Sequence, residues 1–135
     1  MEDYSKITDK LNSLSREIHA FEATYLRFTS ELIRHYSSGS IPTVRDLSFS
    51  ITDQNVIKVE FAGFNFEIDY EFKRENETPK GLLNVHLITE GEEQVRSLIT
   101  TQEFEVDGSI TGTSLYLHND MGCITILLNL IESSI

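Results

Sequence analysis

With 135 residues, 39% of them apolar and 24% charged, the chain has the make-up of one folded domain, residues 1–135, and lacks the length for two. Twenty-two acidic residues against eleven Lys and Arg give a net charge of -11, which argues against a nucleic-acid groove or docking on anionic lipid, both of which need clustered cations. A single cysteine rules out an internal disulfide, and MEDYSKITDK has neither the basic nor the apolar region of a secretory leader, so a cytoplasmic protein is expected.

In chain order, the first signal is helical. Tyr4, Ile7, Leu11, Leu14, Ile18, Phe21, Tyr25, Phe28 and Leu32 recur at alternating steps of three and four, and residues 1–38 contain neither Gly nor Pro. That spacing places them on one stripe of an α-helix over about residues 5–37. Asp3 or Ser5 suits the first-turn cap, and Ser37-Ser38-Gly39-Ser40-Ile41-Pro42 supplies the stop. So long a helix leaves room for a break near Asn12-Ser13 or Thr29-Ser30. The heptad spacing also fits a dimeric coiled coil. The stripe, however, is rich in Phe and Tyr, and its flanking positions, Thr8, Lys10, Ser15, Glu17, Glu22, Thr24, Thr29 and Glu31, do not alternate in sign. Packing across the chain's own sheet is the better expectation, because large aromatics fill the gap between a helix and a twisted sheet.

After Pro42 the period becomes two. Leu47, Phe49 and Ile51, then Ile57, Val59 and Phe61, alternate with polar residues, with a turn at Asp53-Gln54-Asn55 and another at Ala62-Gly63. Phe64, Phe66, Ile68, Tyr70 and Phe72 oppose Asn65, Glu67, Asp69, Glu71 and Lys73, the pattern of an antiparallel strand with one dry and one wet face. Arg74 to Gly81 reads as a polar loop and Leu82 to Thr89 as the next strand. Residues 94–103 fit both periods, and the β-branched run Ile99-Thr100-Thr101 favours a strand. A hairpin through Asp107-Gly108-Ser109 to Ile110–His118, a turn at Asn119-Asp120-Met121-Gly122 and a last strand from Cys123 to Ile131 complete the reading. The expected fold is α+β: a long N-terminal helix packed on a largely antiparallel sheet of about six strands over residues 43–132.

The charge is uneven. Residues 1–40 hold five basic and six acidic residues, net -1; residues 41–135 hold six and sixteen, net -10. The negative field therefore belongs to the sheet. Glu67, Asp69 and Glu71 share one outward strand face, and Glu60, Glu103 and Glu105 extend the set as candidate partner-binding residues. Such a surface either solvates a sheet or steers a basic partner.

Motifs for chemistry are sparse. Cys123 enters an apolar run with no cation beside it, so a core thiol is the expectation; His118-Asn119-Asp120 with Cys123 makes at most a weak dyad across a turn. His19 and His35 are not spaced as ligands, and no zinc, calcium or phosphate-loop motif occurs. No catalytic residue, metal or cofactor is expected. The leading expectation is a non-enzymatic acidic binding protein, an immunity protein or antitoxin-like inhibitor that occludes the active site of a basic protein toxin such as a nuclease. A small acidic secretion chaperone or adaptor that dimerises is one alternative. The other is a small-ligand binder or enzyme with a pocket between helix and sheet reached by His86, His118 or Cys123. Monomer and homodimer both remain open.

Overall fold

The computed structural model describes residues 2–38, 44–118 and 122–135. The N-terminal apolar stripe forms a single α-helix, α1, Glu2–Ser38. It starts earlier than expected, with Asp3 and Ser5 inside it, and runs without a break for roughly 55 Å at 1.5 Å per residue. Thr29 does not interrupt it, because its hydroxyl donates back to the Leu26 carbonyl at 3.0 Å and so stays within the helix.

Five strands follow: β1 Leu47–Ile51, β2 Ile57–Phe61, β3 Phe64–Glu75, β4 Thr78–Thr89 and β5 Val95–Phe104. They form one antiparallel meander in which strand order is chain order. A second helix, α2, spans Gly122–Ser133. The architecture is α+β as expected, with five strands among the described residues in place of about six.

Three local expectations are corrected. The polar segment 74–81 is not a loop: β3 and β4 continue through it, joined by Asn76-Glu77 with φ of 49° and 64°. These strand ends look like loop because they run past the core and need no apolar face. The last apolar run is a helix rather than a strand. Its buried residues, Cys123, Ile124, Ile126, Leu127, Leu130 and Ile131, lie at helical spacing, and packing overrides the strand preference of isoleucine. Residues 110–118 form no strand, but a compact loop with single bridges at Phe104–Ile110 and Ser109–Tyr116. The expected turn at Asn119-Asp120-Met121 and the helix stop at Gly39–Pro42 fall outside the described residues.

Residues 95–104 are a strand, and a register shift explains their mixed periodicity. Val85 pairs Thr100 and His86 pairs Leu98, so Ile99 is the extra residue of a β-bulge and the alternation slips by one there.

The dry face carries Phe66, Ile68, Val59, Ile57, Leu83, Val85 and Phe104, all nearly inaccessible. Only the second half of α1 lies on it. Phe21 meets Phe72 edge-on at 5.6 Å, Tyr25 stacks on Tyr70 at 5.2 Å, and Tyr36 reaches Phe49 at 4.7 Å. The same core takes in the apolar face of α2. The first half of α1 extends past the body, leaving Tyr4, Ile7 and Leu11 75%, 57% and 60% exposed. Among the described residues no helix is long and apolar enough to cross a membrane.

The hairpin turns carry a cost that substitution can relieve. Ala62-Gly63 and Asn76-Glu77 are both two-residue turns with positive φ throughout, a geometry that favours Asn-Gly and strains Ala and Glu. Ala62→Asn and Glu77→Gly are each expected to raise stability by about 0.5–1 kcal/mol, read as a higher denaturant midpoint with an unchanged m-value.

Candidate functional site

The face of the sheet opposite the helices gathers the predicted carboxylates. Register aligns Glu67, Asp69 and Glu71 of β3 with His86, Asn84 and Leu82 of β4, and Glu103 of β5 pairs Leu82 from the other side. Glu60, on β2, pairs Asn65 and faces the same way. Glu105 does not join them. It follows β5 and borders a hollow with Arg16, Glu17 and Pro79, at the junction of α1 with the β3–β4 hairpin.

The β3 carboxylates are engaged by their neighbours. Arg96 on β5 reaches across β4 to Asp69 at 2.5 Å and to Glu67 at 3.5 Å. His86 Nε2 lies 3.4 Å from Asp69, and Asn84 donates to Glu71 at 2.9 Å while accepting from Thr101. Lys80 sits 3.3 Å from Glu103 and 3.9 Å from Glu75. Alternation along β3 shows the acids, but their partners lie 13 or more residues away in the chain, which local patterning does not reveal. The uncompensated charge lies at one end of the sheet. There Glu60 is joined by Glu90, which borders the same hollow, and by Glu92 and Glu93 in the β4–β5 turn; all four are exposed and make no ion pair among the described residues, and the one cation on that hollow, Lys58, leaves the end strongly negative.

A cleft of about 580 Å³ opens beside this face. It exists because β2 starts at Ile57, opposite Ile68, so β3 has no strand neighbour on that side from Asp69 onward. Glu22, Tyr25, Tyr70, Asp69, His86 and Arg96 contribute to its walls. Tyr25 donates its hydroxyl to the Asn55 carbonyl, whereas the buried Tyr70 hydroxyl has no hydrogen-bond partner among the described residues. Burial pushes the Tyr70 phenol up to about 12, with Glu22 adding to the rise; burial also raises Tyr25, with Asp69 as the second cause.

Of the other chemistry-bearing residues, Cys123 is fully buried on α2, and burial raises its thiol to about 11. A thiol so raised stays protonated at neutral pH and is a poor nucleophile. Cys123 belongs to α2 rather than to a strand of a hairpin with His118. His118 instead packs its ring on Gly108, whose φ of +91° and missing Cβ admit it. His86 alone of the three candidates lines the cleft. Among the described residues, no group of three or more His, Cys, Asp or Glu side chains is placed to hold a metal ion.

The chain matches no protein-family model, no curated protein and no solved structure.

Proposed function

We propose that the protein is a non-enzymatic acidic binding module that neutralises a basic protein partner through the uncovered face of its sheet, in the manner of an immunity protein or antitoxin-like inhibitor of a toxin such as a nuclease. The observation that carries this reading is the asymmetry of the sheet. One face is closed by two helices, while the other is open and leads to the uncompensated cluster Glu60, Glu90, Glu92 and Glu93. Carboxylates on a rigid sheet offer a basic groove the charge pattern it uses for phosphate, and such fields act chiefly on association rate. The internally paired Glu67, Asp69 and Glu71 fix the frame, and the end cluster supplies the steering.

The test is capture of a basic protein from lysate, followed by assay of its nuclease activity on naked DNA and RNA with and without this chain. Loss of that activity in the complex supports the reading; a captured protein that stays fully active removes it. In the captured complex, Glu60→Lys/Glu92→Lys/Glu93→Lys is expected to slow association by about 10-fold or more at low salt, with little change in dissociation. An unchanged on-rate excludes this end of the sheet from the interface.

One observation favours a second reading. Tyr70, whose buried hydroxyl has no hydrogen-bond partner among the described residues, borders a cleft whose carboxylates, Glu22, Asp69 and Glu71, outnumber its cations. That composition suits a small cationic ligand such as a polyamine. Thermal stabilisation by spermidine that is lost in Glu22→Gln would support it; no shift at millimolar spermidine would dismiss it.

A further inference from the structure

The heptad stripe of α1 does two jobs. Phe21, Tyr25, Phe28 and Leu32 are buried on the chain's own sheet, whereas Tyr4, Ile7, Leu11 and Ile18 continue the same stripe with at least a third of their surface open. Water-exposed apolar side chains in an unbroken seam along one helix mark a contact surface. The charges beside the seam say what covers it.

We propose that residues 4–21 of α1 pair antiparallel with the same segment of a second copy of this chain. With Tyr4 taken as a core position, the flanking charged positions are Asp3, Lys10, Glu17 and, on the other edge, Glu22. In the antiparallel register that opposes Leu11 to the partner's Leu14 and Ile7 to the partner's Ile18, Lys10 faces the partner's Glu17, and by symmetry Glu17 faces the partner's Lys10. The opposite edge then sets Thr8 against the partner's Ser15, which is neutral. Sliding by one heptad in one direction sets Lys10 on the partner's Lys10 and Asp3 on the partner's Glu17. Sliding in the other sets Glu17 on the partner's Glu17. A parallel pair sets Glu17 on the partner's Glu22. One arrangement out of these four joins opposite charges, and like-charge pairing is what such seams select against.

The body of the fold agrees with this register. Glu17 is half-buried, and its Oε2 has no hydrogen-bond partner among the described residues. The partner's Tyr4 arrives at the layer of Phe21, beside a hollow of about 540 Å³ bordered by Arg16, Glu17, Ala20, Pro79 and Val106. The overlap is about 26 Å long, five helical turns, so the contact belongs to the small class of interfaces and is expected to form at micromolar concentration or above.

Sedimentation equilibrium across a concentration series at low salt tests the proposal. The expected result is a monomer–dimer equilibrium that Leu11→Asp abolishes, while thermal melting at concentrations where the wild type is monomeric stays unchanged, because Leu11 is 60% exposed in the chain's own fold. Lys10→Glu and Glu17→Lys should each weaken the dimer several-fold, and the two single variants mixed should associate more tightly than either alone. A monomer at every concentration overturns self-pairing and leaves the stripe to a different protein. A dimer indifferent to Leu11→Asp overturns the seam. A dimer strengthened by Glu17→Lys means a parallel pair, since the new lysine would then face Glu22, and overturns the register.

Discussion

Phe104→Ala is expected to remove about 3–5 kcal/mol of stability, a large share of the roughly 5–15 kcal/mol that holds a small domain folded. Phe104 is fully buried at the end of β5, with ring centroids 6.0 Å from Phe21 and 5.9 Å from Tyr70. It therefore ties α1 to the sheet at the point where the helix leaves the body. The far end of its ring lies over Gly81, the residue opposite it in the β4–β5 register, and a Cβ at Gly81 would overlap that end. Gly81→Ala should cost about 1–3 kcal/mol by displacing that ring. The two effects are coupled: in a Phe104→Leu background, Gly81→Ala should cost less than in the wild type. Equal costs in both backgrounds in a urea double-mutant cycle would show that the ring does not depend on the missing Cβ.

Stability should hold to about pH 9, begin to fall there, and fall more steeply above pH 10. Cys123, Tyr70 and Tyr25 are acids whose folded values are raised by burial, so the folded chain keeps protons that the unfolded chain releases first. Their contribution is fully present below the unfolded values, near 9 for the thiol and 10 for the phenols, and is lost as pH rises toward the folded ones. Each group adds a slope of up to about 1.4 kcal/mol per pH unit within its window. Tyr25→Phe should flatten the decline above pH 10, at the cost of its hydrogen bond to Asn55, about 0.5–1.5 kcal/mol at neutral pH. Tyr70→Phe should also flatten it, yet be neutral or stabilising at pH 7, because it deletes a hydroxyl with no partner. Urea unfolding from pH 7 to 11 separates the two. A loss of more than about 1 kcal/mol in Tyr70→Phe at pH 7 would mean that the hydroxyl is satisfied.

Where one face of an element is dry and the other wet, its periodicity was legible. Alternation located β1, β2 and most of β3, and the three–four spacing located α1. Patterning failed where that contrast disappears. β3 and β4 beyond the core are polar on both faces, so Arg74 to Gly81 passed for a loop, and Asn76-Glu77 lacks the glycine that would have marked a turn. In α2 the β-branched residues masked a helical spacing present in the same six residues. The candidate site was half legible: the wet-face acids could be placed from β3 alone, but Arg96, His86 and Asn84 are brought to them by tertiary pairing. The stripe of α1 predicted burial along its whole length, and nothing in the sequence showed that the body ends near Ile18.

That strand order equals chain order has a consequence for synthesis. Each strand can pair with the one made just before it, so the sheet can zip up hairpin by hairpin as the chain emerges. The helix has no such convenience. It is made first, and the residues it must bury against, from Phe49 to Phe104, follow it by up to some eighty positions. Until β5 is complete, α1 lacks Phe104, and part of the stripe from Phe21 to Leu32 that the finished sheet buries stays open to the crowded surroundings of the ribosome. The nascent chain is most exposed to aggregation and to chaperone capture in that interval, and a translational pause before residue 104 would prolong it.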